Sequence, residues 1–161
     1  MEGIVIRDGA VKSAVSLPLG AVRLTERYVA EPEGRFTRSD RQRVDETVAA
    51  TFAKAGFAFP VSGPVVGTGG ALMVTRAILA ARTSSAAKEH SPLIRIDELH
   101  SLFDEIAGLP LSNRADRIPG LPPERADIMP TALAIYLKVA ALAEADHLIQ
   151  SRYTLRYGFI E

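Results

Sequence analysis

Residues 65 to 71 constrain the fold more than any other stretch. Val65-Val66 reads as a short apolar strand, Gly67-Thr68-Gly69-Gly70 as a glycine-rich turn, and Ala71 to Arg82 as a helix with Leu72, Thr75 and Leu79 facing inward. A strand that feeds a helix through so few residues belongs to an α/β architecture. Glycines let the backbone approach a ligand, and the first amides of a helix lack an intrahelical partner. Such a turn is therefore suited to an anion, with the helix dipole adding favourable potential. The same residues also suit a tight connection that holds no ligand, since short glycine-rich turns are common.

The rest of the chain agrees with that class. Gly3–Arg7 and Ala10–Leu17 read as strands joined by Asp8-Gly9, a two-residue hairpin signal. Ala21–Tyr28 follows as a helix. Ser39 with Gln42 is read as a capping box opening a second helix, with Val44, Val48, Phe52 and Ala55 on its inner stripe. Arg41, Arg43, Asp45 and Glu46 are left for solvent, and Gly56 ends the helix. Thr83 to Glu89 reads as a polar loop, and Asp97–Ala107 as a helix buried through Leu99, Leu102, Phe103 and Ile106. Leu109 to Pro123 has room for at most a short helical turn. Pro122-Pro123 is expected to open a long helix running to about Ala145, kinked or broken at Pro130. His147–Gln150 closes the series as a strand, and Leu155–Ile160 is a helix or tail. The expected sheet is mixed: a hairpin first, then strands reached by crossover helices.

Composition narrows the function. Among 161 residues, 19 Lys and Arg balance 19 Asp and Glu. A protein that neutralises many nucleic-acid phosphates carries a basic excess, so no nucleic-acid partner is expected. Cysteine is absent, which removes disulfides, thiolate chemistry and cysteine zinc sites and suits the cytoplasm. The start, Met1-Glu2-Gly3-Ile4-Val5, lacks the basic and apolar regions of a signal peptide. The longest apolar stretch, Ala132–Ala143, is interrupted by Lys138 and too short to span a bilayer, so no membrane partner is expected.

Few side chains point to chemistry. Glu124 and Asp127 lie three apart and share a face if helical, where they suit a metal-bound water or simply a first helical turn. Arg125 between them suits an anion or a neighbouring carboxylate. His90, His100 and His147 are far apart, without ligand spacing, and no metal ligand or catalytic residue is assigned. Arg23, Arg27, Arg35, Arg38, Arg41 and Arg43 give the first third a basic lean, read first as a solvated surface and second as a polyanion track.

Four segments together resemble the Ppx/GppA family of exopolyphosphatases and guanosine pentaphosphate phosphatases. The first is Ser16-Leu17-Pro18-Leu19-Gly20-Ala21-Val22-Arg23-Leu24-Thr25-Glu26-Arg27, nearly the family's strand-to-helix segment. Gly67-Thr68-Gly69-Gly70 is similar to its Gly-x-(Gly/Ser)-Gly-Thr loop, with Ala71 where Thr is usual. Leu121-Pro122-Pro123-Glu124-Arg125-Ala126-Asp127 resembles its Leu-x-x-Glu-Arg-Ala-Asp signature. Ser151 with Leu155-Arg156-Tyr157-Gly158 resembles its closing motif, with Thr154 where Gly is usual.

The resemblance covers essentially the whole chain. It implies an α/β, ribonuclease-H-like lobe of the actin-like ATPase superfamily, with a mixed sheet lacking its first strand. Residues 1–161 would form a single partial domain, the second lobe of the phosphatase domain. It also implies Gly67, Thr68, Gly69 and Gly70 as the phosphate-facing loop, with Glu124, Arg125 and Asp127 lining the same cleft. Implied substrates are polyphosphate or guanosine pentaphosphate, with Mg²⁺ serving the full-length enzyme and none held by this chain alone. The family's Asp-x-Gly-Gly-Gly-Ser loop and catalytic Glu have no counterpart here, so little hydrolysis is expected without an N-terminal lobe in cis or trans. Dimerisation is one way to cover the sheet edges a missing strand would expose. A non-catalytic binding or assembly module, and a lobe of a sugar-kinase-like ATPase, are the alternatives.

Overall fold

The computed structural model describes residues 1–83 and 91–153. The polar loop expected from Thr83 to Glu89, His90, and the closing residues from Thr154 on therefore lie largely or wholly outside the described residues. β1 (Glu2–Arg7) and β2 (Ala10–Ser16) form an antiparallel hairpin. Its turn residues Asp8 and Gly9 both have positive φ, 54° and 70°, as the tight turn matched to the strand twist requires. α1 spans Ala21–Tyr28 and α2 spans Arg38–Lys54. β3 (Val66–Gly67) leads into α3 (Gly70–Arg82). β4 (Leu93–Arg95), α4 (Ile96–Ala107) and α5 (Leu111–Arg117) follow, then a 3₁₀ turn at Pro123–Arg125. α6 (Met129–Ala143) and β5 (His147–Gln150) come last among the described residues.

The architecture is mixed α/β. β5 is the centre of a three-stranded sheet, parallel to β3 and antiparallel to β4. The hairpin forms a separate two-stranded sheet, so the one mixed sheet expected from sequence is two sheets among the described residues. α6 is apolar nearly all round, the pattern of a helix buried on every side. It packs against α1, α2, α3 and α4. Leu133 on α6 is fully buried in one core with Leu24, Val44, Val48, Leu72, Leu102 and Ile106. Truncating such a leucine to alanine costs about 2–5 kcal/mol.

Several local expectations are corrected. The capping box is Thr37 with Asp40, not Ser39 with Gln42. The Asp40 amide donates to the Thr37 hydroxyl at 3.1 Å, and the Thr37 amide donates back to Asp40 Oδ2 at 2.8 Å. The carboxylate wins because it also receives Arg43 Nη2 at 2.6 Å and is buried there. Arg43 is thus tied inward, bonding the Tyr28 carbonyl as well, and Arg41 is partly buried against Asp45. Ala55 is exposed because α2 ends before it. The Gly56 amide bonds the Ala53 carbonyl and the Phe57 amide the Phe52 carbonyl, a Schellman ending with Gly56 at φ 67°. α5 makes two turns where at most one was expected. The three-residue β4 was not foreseen. Pro130 does not kink a helix: it stands in the first turn of α6, where its missing N–H costs nothing.

Candidate functional site

The Gly67–Gly70 turn is shaped by packing on one side and left open on the other. A Cβ on Gly67 would press into Leu72 Cδ1, so a side chain there would force the buried Leu72 to shift. The Gly67 carbonyl accepts from the Ser151 amide at 2.8 Å, which carries the β3–β5 pairing one residue further. Gly69 is the N-cap of α3 with φ 125° and ψ 169°, a region that essentially only glycine occupies. No side chain caps this helix. Its first amides therefore have no side-chain cap, with the positive end of the helix dipole behind them. Thr68 is exposed and its hydroxyl donates to the Tyr153 carbonyl at 3.2 Å.

A guanidinium stands across this opening. Arg125 Nη2 lies 3.5 Å, and Nη1 3.6 Å, from where a Cβ on Gly70 would be. The Arg125 side chain is exposed and has no hydrogen-bond or ion-pair partner among the described residues, while its backbone amide bonds the Pro122 carbonyl. Of the three residues expected to line the cleft, the structure thus brings Arg125 to the turn. Glu124 and Asp127 do not share an α-helical face as expected, because Pro122 and Pro123 hold this segment in a 3₁₀ turn. Asp127 Oδ1 instead accepts the Ile128 amide at 2.8 Å, just ahead of α6. Glu124 is exposed at the same turn.

Two further residues reach this site without any signal from sequence. The Tyr136 hydroxyl lies 3.8 Å from the Cβ position of Gly69. Burial raises its pKa, so it stays a protonated donor. Within the apolar run of α6 it reads simply as core. Arg114 on α5 is buried and bonds three carbonyls: Leu109 at 3.1 Å, Ala126 at 3.0 Å and Gly34 at 3.1 Å. Burial pulls its pKa down, opposed by the charges of Asp127 and Glu33. Its bond to Ala126 fixes the residue that follows Arg125. Behind the turn, the buried Arg76 of α3 reaches Gln150 Oε1 on β5 at 3.1 Å.

Among the described residues no group of three or more His, Asp or Glu could hold a metal ion. Mg²⁺ requires octahedral oxygen coordination, commonly one or two carboxylates plus substrate phosphates. Two exposed carboxylates flanking a guanidinium do not by themselves fit a resident ion. His100 stands on α4 and His147 on β5, where its Nδ1 meets Asp146, and neither joins the turn.

The mixed α/β fold, with a glycine turn between strand and helix, matches Ppx/GppA structures of the actin-like ATPase fold. The crystal structure of the Aquifex aeolicus Ppx/GppA phosphatase, type II variant, matches at TM-score 0.84 and 26% identity, over 99% of this chain and 52% of that one. An exopolyphosphatase from Cytophaga hutchinsonii matches in fold at TM-score 0.81 and 19% identity, over 99% and 52%. An exopolyphosphatase-like protein matches in fold at TM-score 0.80 and 18% identity, over 99% and 54%. The chain spans about half the length of these structures. No curated protein matches the sequence. The Ppx/GppA phosphatase family model matches residues 1–161, and the chain belongs to that family. Among the described residues no helix is long and apolar enough to cross a membrane.

Proposed function

We propose that this chain is the phosphate-gripping lobe of a phosphohydrolase that releases terminal phosphate from inorganic polyphosphate or guanosine pentaphosphate, and that alone it hydrolyses neither. One observation carries the reading: the Arg125 guanidinium stands against Gly70 at the uncapped start of α3. Amides of the turn and the guanidinium fork together supply donors for phosphate oxygens and offset their charge. Gly69 and Gly70 add no side chain at the helix start, and Arg114 positions the arginine through Ala126. The names of the structural neighbours support exopolyphosphatase chemistry.

Hydrolysis of a phosphoric anhydride further needs a base to activate water in line with the phosphorus. Asp127 is engaged with the Ile128 amide, and no residue of the turn is a base. The base and the opposite wall come in this proposal from the N-terminal half, in cis or in trans, and Mg²⁺ arrives with the substrate phosphates. A homodimer is the alternative cover for the exposed hairpin, where Ile4, Ile6 and Val11 face solvent. The absence of cysteine suits a cytoplasmic setting.

Calorimetry of this chain with polyphosphate and with guanosine pentaphosphate, beside a phosphate-release assay, tests the reading. Binding of either without release supports it. Release at an ordinary enzymatic rate, about 1 s⁻¹ or faster, or no binding of either anion, contradicts it. Binding of ATP alone points to a kinase-like lobe.

A further inference from the structure

A second cationic cleft, of about 530 Å³, opens at the N-terminus of α2. Arg35, Arg38 and Arg41 line it, with Phe103 and Ala107 as an apolar wall and Asp104 as the one carboxylate of the lining. The three arginines are not equivalent. Arg41 is held by Asp45 at 2.8 Å and lies over the Phe103 ring, 4.6 Å from its centre. The side chains of Arg35 and Arg38 are exposed and have no hydrogen-bond or ion-pair partner among the described residues. The Asp40 carboxylate is paired with Arg43 and bonded by Thr37, so its charge is engaged away from Arg35 and Arg38. The positive end of the seventeen-residue α2 adds to the potential.

We propose that this cleft is a second anion site, separate from the Gly67–Gly70 turn, that takes a chain of linked phosphates. Guanidinium forks match phosphate oxygens in pairs, and two unneutralised forks three residues apart suit an anion with more than one phosphate. A small anion is favoured over nucleic acid because the chain as a whole carries no basic excess, 19 charges against 19. The site also has a fixed relation to the first. Arg114 bonds the carbonyl of Gly34, which precedes Arg35, and that of Ala126, which follows Arg125. One buried guanidinium thereby ties the backbone beside both cationic positions, which suits a polyphosphorylated ligand held at two points.

The test is an amide NMR titration of the chain with inorganic triphosphate and, separately, with guanosine triphosphate at one ionic strength. Saturable shifts at Phe36, Arg38 and Ser39 are expected. The double variant Arg35→Ala with Arg38→Ala should weaken them about tenfold or more, with an unchanged Tm because both side chains are exposed. Asp104→Asn should tighten binding up to about fivefold. Shifts at Phe103 and Ala107 with the nucleotide alone support a nucleotide source, and equal shifts with both anions support the phosphate chain itself. Absence of saturable shifts at 36–39, or identical shifts in the double variant, overturns the site. Shifts at 36–39 without any at Gly69–Ala71 would leave this site standing and remove the proposal for the glycine turn.

Discussion

The guanidinium of Arg125 and the backbone of Gly70 face each other across an open turn: a methyl carbon on that glycine would sit 3.7 Å from Cζ. Fifty-five residues of chain separate them, and α6 packs behind both through α3 and the turn that precedes it. The pairing turns a strand-to-helix connection into a candidate anion seat.

Arg125→Gln should therefore weaken triphosphate binding without altering the fold. A charge-assisted hydrogen bond contributes about 1.5–3 kcal/mol, so the dissociation constant should rise about tenfold or more. Calorimetry reads the change, and an unchanged melting temperature confirms that an exposed side chain has been altered. An unchanged affinity removes Arg125 from the site.

The glycines should be sensitive for different reasons. Gly69→Ala forces a residue with a side chain into φ 125°, at about 1–3 kcal/mol. Gly67→Ala drives a methyl group into Leu72, an overpacking cost of about 1–3 kcal/mol. Both should lower the midpoint of urea unfolding. Gly70→Ala meets only ordinary contacts with Arg125 and should be tolerated better in stability than either.

Arg114→Leu leaves the carbonyls of Gly34, Leu109 and Ala126 without their donor. Losing buried partners costs about 1–3 kcal/mol each, so destabilisation of about 3 kcal/mol or more is expected in urea unfolding. Arg114→Lys should recover little, since an ammonium cannot present the same planar fork to three acceptors. Equal stability of Arg114→Leu and the parent chain would show that the clamp is ornamental.

Asp40 gives the fold an acid-sensitive point. Burial opposes its charge, but hydrogen bonds from Thr37, Ala30 and Arg43 outweigh that and lower its pKa below the ordinary 3.8. A folded pKa below the unfolded one contributes stability that is complete above the unfolded value. It is lost as pH falls through the folded value. Asp40→Asn should therefore lower stability at neutral pH and flatten its fall below about pH 4. Parallel pH–stability curves for the two proteins would contradict this.

Much of the fold was readable because local chemistry and tertiary packing agree. Asp8-Gly9 demands a tight turn and the hairpin forms there. Leu99, Leu102, Phe103 and Ile106 carry a helical period and are buried together. Sequence and structure part where two local solutions compete. Thr37 with Asp40 and Ser39 with Gln42 both fit a capping box, and burial beside Arg43 decides between them. Pro130 reads as an interruption of a helix begun at Pro122, whereas the 3₁₀ turn resets the start. β4 is three residues long and shows no alternation that single-chain patterning detects. At the site, the glycine turn was legible from composition, but the approach of Arg125 and Tyr136 depends on how α6 packs. No spacing in the chain announces it.

A crystal structure of this chain with inorganic triphosphate tests the central claim most directly. The account predicts a phosphate group within hydrogen-bond distance of an amide at Gly69–Ala71 and of the Arg125 guanidinium. Triphosphate bound elsewhere, with that turn empty at a saturating concentration, would contradict it.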